Sequence, residues 1–300
     1  MKNVLVTGSG GLLGAYVVRE LRDRYAVSGF DVKRGSEDIP TTEANLLDVA
    51  AVRRAVAGQD AILHIAARAN IWSGTGADIM SVNVTGTWNV LEAAEAAGVE
   101  RVVLCSSDSV IGFTVMSSGL MAPLYVPIDQ AHPLRPTDPY ALSKQCVEAI
   151  GRGFAARGKL AVMALRPVFI LYPEMYDEVR ARAKDPAAYA KHDGPMVGGP
   201  SAAGGGPAWH YVDPRDVARA FRLALDRTDR GFASFFLAGR TTLAPEPTIE
   251  RFEKRIGRTI ELRKPDIHRE QPFAPLYDLA ETKAGLGWEA EHDLRSLFVA

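Results

Sequence analysis

The stretch Val4-Leu5-Val6-Thr7-Gly8-Ser9-Gly10-Gly11-Leu12-Leu13-Gly14 decides the fold of this 300-residue chain. Its apolar run stops at Thr7-Gly8, glycines recur at Gly8, Gly11 and Gly14, and an apolar pattern resumes through Leu12, Leu13, Tyr16, Val17, Val18 and Leu21. The spacing passes from strand-like to i, i+3, i+4 across the glycines, which predicts a strand, a tight turn and a helix. Gly8 permits the turn, Gly11 lets backbone approach a pyrophosphate, and Gly14 lets helix and strand pack closely. The N–H groups and positive dipole end at the helix start suit a phosphate. A second apolar run, Tyr25 to Phe30, ends at Asp31, where a carboxylate can accept hydrogen bonds from both ribose hydroxyls of an adenosine. The competing reading is a solvated loop aspartate. The order strand, turn, helix, strand, acid favours the ribose.

Composition bounds the rest. With 47% hydrophobic and 24% charged residues the chain can bury a large core and is neither disordered nor fibrous. A formal net charge of −1 points to neither a nucleic-acid nor a membrane-surface partner. Two cysteines, Cys105 and Cys146, are too few for a disulfide framework; both are expected reduced and buried. The first strand opens almost at Met1 and no apolar run has membrane-spanning length, so neither signal peptide nor span is expected and a cytoplasmic setting is. No metal site is expected.

Along the chain, Asp48 is placed to cap a short helix, Val49 to Ala57. Ala61 to Ile65 reads as a strand running into His64-Ile65-Ala66-Ala67, and Asp78 to Ala97 as a long helix carrying Asn83 and stopping at Gly98. Arg101 to Cys105 is a strand leading into Ser106-Ser107-Asp108-Ser109. Phe113 to Thr137 is irregular and a candidate pocket wall. Asp138-Pro139 opens a helix to about Ala156 that carries Tyr140 and Lys144. Lys159 to Leu165 is the next strand, ending at Arg166-Pro167. This alternation predicts an α/β fold with a doubly wound parallel sheet covered on both faces. The dinucleotide-binding core is expected over residues 1–167, rejoined by 208–238. Residues 168–207 and 239–300 are expected to form a smaller, discontinuous substrate-binding part. There, Glu174 to Asp185 reads as a charged helix, His192 to Pro207 as a Gly/Pro loop, and Trp209 to Val212 as a short strand.

Tyr140 and Lys144, four apart on one helix, are neighbours on one face. A nearby ammonium and the helix N-terminus favour the phenolate of a tyrosine whose reference pKa is near 10, making Tyr140 a candidate general base for a substrate hydroxyl. Ser106 and Ser107 end the fourth strand at the expected crevice, where a hydroxyl can hold the reacting oxygen against Tyr140. The alternative is that they only satisfy backbone groups in a turn.

Taken together, TGSGGLLG with Asp31, HIAA at His64 to Ala67, Asn83, the serine cluster, YALSK at Tyr140 to Lys144 and Arg166-Pro167 resemble the extended short-chain dehydrogenase/reductase family, which includes NAD-dependent sugar epimerases and dehydratases. The resemblance runs down to LAETKAGLGW near the C-terminus. It implies Tyr140 as acid/base, Lys144 as ribose contact and pKa modulator, and Ser107 as the third catalytic member. It implies NAD as cofactor, with contacts from Gly8, Gly11, Leu12, Leu13 and Asp31 in the first turn and strand. Further contacts are expected from Leu47 and Asp48 beside the adenine and from Ala66, Asn83, Tyr140, Lys144 and Pro167.

Two departures bear on substrate. Phe169 stands where nucleotide-sugar members carry an asparagine, and Trp209 where they tend to carry an arginine gripping a diphosphate. Losing a planar bidentate donor removes the natural diphosphate clamp. Of the late arginines Arg180, Arg182, Arg240 and Arg263, the last is the most plausible replacement. The leading expectation is an NAD-dependent dehydrogenase acting on a secondary alcohol of a small sugar, sugar acid or polyol. An epimerase or dehydratase with transient oxidation, and a non-catalytic dinucleotide sensor, stand as rivals. A homodimer through the helices Asp78 to Ala97 and Tyr140 to Ala156 is also expected.

Overall fold

The structure is a computed structural model and describes residues 2–112, 122–184 and 209–298. The expected Gly/Pro loop His192 to Pro207, and part of the irregular segment Phe113 to Thr137, lie outside the described residues.

The opening stretch folds as its spacing predicts: β1 (Asn3–Thr7), the glycine turn, then α1 (Leu12–Leu21). Six further strands pair in parallel around β1: β2 (Ala26–Asp31), β3 (Thr41–Glu43), β4 (Ala61–His64), β5 (Arg101–Cys105), β7 (Ala161–Pro167) and β8 (Phe232–Leu237). Their order across the sheet is β3-β2-β1-β4-β5-β7-β8. The winding reverses between β1 and β4, and such a switch point opens a crevice at the carboxyl ends of the strands.

Successive strand residues point to opposite faces, so each strand feeds two cores. Val4, Val6, Leu63, Val103 and Leu165 pack with α1 and with α7 (Pro214–Asp226) on one side. Leu5, Ile62, Val102, Leu104 and Val162 pack on the other with α2 (Val49–Val56), α4 (Gly86–Ala97) and α5 (Pro139–Ala156). The near-continuous apolar strands follow from being covered on both sides. A two-stranded parallel sheet, β6 (Tyr125–Val126) with β9 (Glu261–Leu262), joins the 122–138 segment to the C-terminal region.

Several expected boundaries move. The helix expected over Asp78 to Ala97 begins earlier, as α3 (Gly76–Met80), where Thr75 and Asp78 form a reciprocal capping box. A single π turn (Ser81–Thr85) then precedes α4, at the point where the Asn83 side chain bonds the backbone of Arg68. Trp209 to Val212 is not a strand; its one pairing is the bridge between Val212 and Ile170. The polar run after Asp31 holds the edge strand β3, too short to show a period. Both cysteines are free, but half-buried rather than buried. The charged helix is present as α6 (Tyr176–Lys184), after a 3₁₀ turn at Pro173–Met175.

Candidate active site

The crevice is a cavity of about 640 Å³ that runs from the glycine turn to the ends of β5 and β7. At one end lie Gly8, Gly11, Leu12 and Leu13, with Asp31 and Lys33 at the tip of β2 and Ala44, Asn45 and Leu46 beyond it. Gly8 has a φ of +78°, and a Cβ there would lie 2.6 Å from the Ala66 nitrogen. A Cβ on Gly14 would be driven into the Gly8 carbonyl oxygen, so only glycine lets α1 start this close to β1. Gly11 caps α1 without a side chain, leaving the first-turn N–H groups of Leu12 and Leu13 with neither an intrahelical acceptor nor a side-chain cap. Asp31 is held by N–H groups donating from Gly10 at 2.9 Å and Lys33 at 3.3 Å. These features fit a dinucleotide: donors for the pyrophosphate and a fixed carboxylate for the ribose.

At the other end α5 brings Tyr140 and Lys144 against Ser107 at the end of β5. Asp138 caps α5 by accepting from the Ala141 N–H at 2.9 Å, and Pro139 follows at the first position, which sets Tyr140 in the first turn. The Lys144 Nζ donates to the Cys105 carbonyl at 2.6 Å and lies 5.7 Å from the centre of the Tyr140 ring. Ser107 is near enough to the Tyr140 phenol to lower its pKa. The electrostatics correct the expected lowering of that phenol. Burial pushes Tyr140 above its ordinary value, the Cys105 thiol and Asp108 add to the rise, and the Ser107 hydroxyl opposes it. Burial also lowers Lys144. Both effects favour neutral side chains in the protein alone. Bound NAD supplies a hydride acceptor and, when oxidised, a positive ring charge that favours the phenolate.

Ser106 and Ser107 part company. Ser106 donates to Glu148 at 2.7 Å, and Glu148 is bidentate with Arg166 at 2.8 and 2.7 Å, so this serine belongs to a buried network tying β5, α5 and β7. Burial raises the Glu148 carboxyl, but Arg166, Ser106 and Arg152 hold it below its ordinary value. Both serines line the cavity, but the Ser107 hydroxyl is not tied to Glu148.

The HIAA run and Asn83 form a second polar spine. Ala66 N–H donates to Thr7 Oγ1, Thr7 Oγ1 meets His64 Nδ1 at 2.8 Å, and His64 Nε2 meets Thr87 Oγ1 at 3.0 Å. Thr87 donates to the Asn83 carbonyl at 2.6 Å, so His64 must donate through Nε2 and accept at Nδ1. Burial lowers His64 to about 3, with Lys144 adding to the shift, so the ring is neutral. Asn83 then donates to the Arg68 carbonyl and to Ser143 Oγ, and Ser143 donates to the Tyr140 carbonyl at 2.7 Å. The glycine strand is thereby linked to the backbone of Tyr140.

Gly8, Gly11, Leu12, Leu13, Asp31, Ala66, Ser107, Tyr140, Lys144 and Pro167 all line the cavity. Asn83, Leu47 and Asp48 do not. Asn83 serves the spine, Leu47 is 40% exposed, and Asp48 caps α2 by accepting from Ala51 N–H at 3.0 Å. Beyond β2 the cavity is lined instead by Asn45 and Leu46. Sequence reasoning also missed Arg68, Trp72, Asp108, Tyr172, Met175 and His210 in the lining. A carboxylate set between serines at a strand end was the one available signal, for Asp108. Phe169 and Trp209 line the cavity as expected, and Trp209 is the one non-glycine residue with positive φ (55°) among the described residues. Arg180 pairs with Asp177, Arg240 donates to the Ala290 carbonyl, and Arg263 pairs with Glu261 and lies 3.3 Å from the Tyr125 ring centre; none lines the cavity.

Residues 4–236 match the NAD dependent epimerase/dehydratase family. The chain belongs to that family. It is similar to the L-arabinose 1-dehydrogenase (NAD(P)(+)) of Haloferax volcanii, 30% identical over 200 residues, which are 64% of this chain and 75% of that protein. It is also similar to the 2-alkyl-3-oxoalkanoate reductase of Stenotrophomonas maltophilia, 35% identical over 57% of this chain and 51% of that one. Among solved structures, a short-chain dehydrogenase/reductase superfamily protein from Agrobacterium tumefaciens with bound NAD superposes with a TM-score of 0.73 at 28% identity, covering 98% of this chain and 94% of that one. The protein is thus an NAD-dependent enzyme of the extended dehydrogenase/epimerase type. Among the described residues no helix is long and apolar enough to cross a membrane.

Proposed function

We propose that the protein is an NAD-dependent dehydrogenase that oxidises a secondary alcohol of a small, polar, sugar-like substrate: a sugar, sugar acid or polyol. The observation that carries this reading is the meeting of Ser107, Tyr140 and Lys144 at one end of a cavity that Phe169, Tyr172 and Trp209 also line. Tyr140 takes the proton of the substrate hydroxyl, Ser107 donates a hydrogen bond to the same oxygen as it becomes a carbonyl, and Lys144 steadies the phenolate. Aromatic walls suit the C–H face of a compact ring, while Arg68 is the one arginine in the lining among the described residues and no guanidinium stands at position 209. A diphosphate moved there from water would lose hydration without matched donors, at several kcal/mol. The arabinose dehydrogenase relative supports a free-sugar substrate. A second reading, reduction of a carbonyl compound with an apolar body, is favoured by Ile71, Ile170 and Met175 in the same walls. A homodimer through α4 and α5, where Trp88 and Leu142 are each 42% exposed, and a cytoplasmic setting belong to the proposal.

The test is a panel of sugars, sugar acids, polyols and apolar ketones. Net NADH formation with a sugar-like alcohol is expected. Substrate conversion without NADH would make the protein an epimerase or dehydratase, and NADH consumption with apolar ketones alone would favour the second reading. Calorimetry with NAD present should show no binding of UDP-glucose, UDP-galactose or UDP-glucuronate; micromolar affinity for any of them refutes the proposed substrate class.

A further inference from the structure

The catalytic end of the cavity holds a carboxyl to which the chemistry above gives no task. Asp108 is only 7% exposed, and its two oxygens are held differently. The Tyr277 hydroxyl, from the C-terminal region, donates to Oδ2 at 2.7 Å. Oδ1 faces the Ser107 hydroxyl at 3.2 Å. Ser107 has one proton to give, and one of its lone pairs already accepts the Ser109 N–H at 3.1 Å. That proton can point to Asp108 or into the cavity toward Tyr140 and a reacting oxygen, but not to both.

We propose that Asp108 is a positioning residue whose protonation state aims the Ser107 hydroxyl. As a carboxylate, Asp108 accepts the Ser107 proton and draws it away from the reacting oxygen. As a carboxylic acid it carries its proton on Oδ1, because Tyr277 occupies Oδ2. It then donates to Ser107 Oγ and turns the serine proton into the cavity. Tyr277 sets the balance, since its donation favours the carboxylate. The inference rests on the reading of the protein as an alcohol dehydrogenase using Ser107.

Burial pushes the Asp108 carboxyl up to about 6, against hydrogen bonds from Tyr277, Ser107 and the Ser109 backbone N–H that pull it down. Among the described residues, the titratable groups facing it are the phenols of Tyr277 and Tyr140, both raised by burial and uncharged near neutrality. Behind Tyr277 lie the Arg166 guanidinium and the ring of His210, 5.0 Å from the tyrosine ring and kept neutral by burial, which lowers it to about 3. Asp108 is the group in this cluster that titrates near pH 6.

Asp108→Asn tests the idea because an amide can accept from Tyr277 and donate to Ser107, as the acid does. With an alcohol that is turned over, wild-type kcat should show a component that falls as pH rises through about 6. Asp108→Asn should lack that component and raise kcat at pH 8 at least about threefold, within the 10²–10³ that one oxyanion donor is worth. Tyr277→Phe should move the fall to higher pH. Independently of any substrate, the Ser107 Cβ carbon shift, followed by NMR with NAD present, should titrate near pH 6 in the wild type and not in Asp108→Asn, with its midpoint moved to higher pH in Tyr277→Phe. A fall that persists in Asp108→Asn with the same midpoint overturns the proposal, as does a Ser107 titration that is absent in the wild type or unchanged in Asp108→Asn. If no alcohol is oxidised, the dehydrogenase reading fails by itself and the Ser107 titration alone decides the switch.

Discussion

Replacing Asp108 by asparagine should make the protein more stable at neutral pH, and the gain can be worked out from the site. The unperturbed carboxyl has a pKa of 3.8, and burial carries it to about 6 in the folded state. A carboxyl raised on folding binds more protons in the native than in the unfolded chain, so its contribution to stability falls as pH rises between those two values and is constant above them. Carrying the carboxyl from 3.8 to about 6 corresponds to a penalty of about 3 kcal/mol at pH 8, shrinking to about 1 kcal/mol at pH 4.5. Asparagine has no such titration and keeps partners for Tyr277 and Ser107. Urea denaturation of wild type and Asp108→Asn at the two pH values should therefore give a difference of about 3 kcal/mol at pH 8 and about 1 kcal/mol at pH 4.5, since all other groups cancel between the two proteins. A difference that does not change with pH, or a variant less stable than wild type at pH 8, would show that the carboxyl is not held in the low-dielectric setting described.

Four other outcomes are expected. Tyr140→Phe should lower kcat by at least about 10²-fold, with NAD affinity by fluorescence titration intact; a loss smaller than tenfold removes Tyr140 as the base. Asp31 should make NAD bind at least about tenfold more tightly than NADP, because a 2′-phosphate would face its carboxylate, and Asp31→Ser should erase the difference in a paired titration. Glu148→Gln should cost about 3–5 kcal/mol in denaturant melts by stranding the buried Arg166 guanidinium, and a neutral effect would contradict the network. Light scattering at micromolar concentration should report a dimer, and introducing a charge at the exposed Trp88 and Leu142 should yield a monomer.

How much of this was legible in the chain follows from the range over which each feature is decided. The glycine turn, the Asp31 strand end, the Asp138-Pro139 helix start and the Tyr140/Lys144 pair are set by neighbours within about one helical turn or one strand. Steric freedom, capping and i, i+4 geometry are local properties, and the structure places each of these residues in the cavity wall or at the start of the helix that carries the pair. The parallel, doubly covered sheet was equally legible, because burial on both faces writes itself into apolar strands alternating with helices. The division of labour between Ser106 and Ser107 was not. Two adjacent serines look alike in sequence, and only the approach of α5 and β7 gives one of them to Glu148. Asn45 and Leu46, not Leu47 and Asp48, line the cavity beyond β2, because the helix cap claims Asp48, a choice made by backbone geometry. Asp108 was visible only as an acid among serines. Its partner Tyr277 lies 169 residues further on, and only tertiary folding removes both from water, which is what turns an ordinary carboxylate into a group that titrates near pH 6.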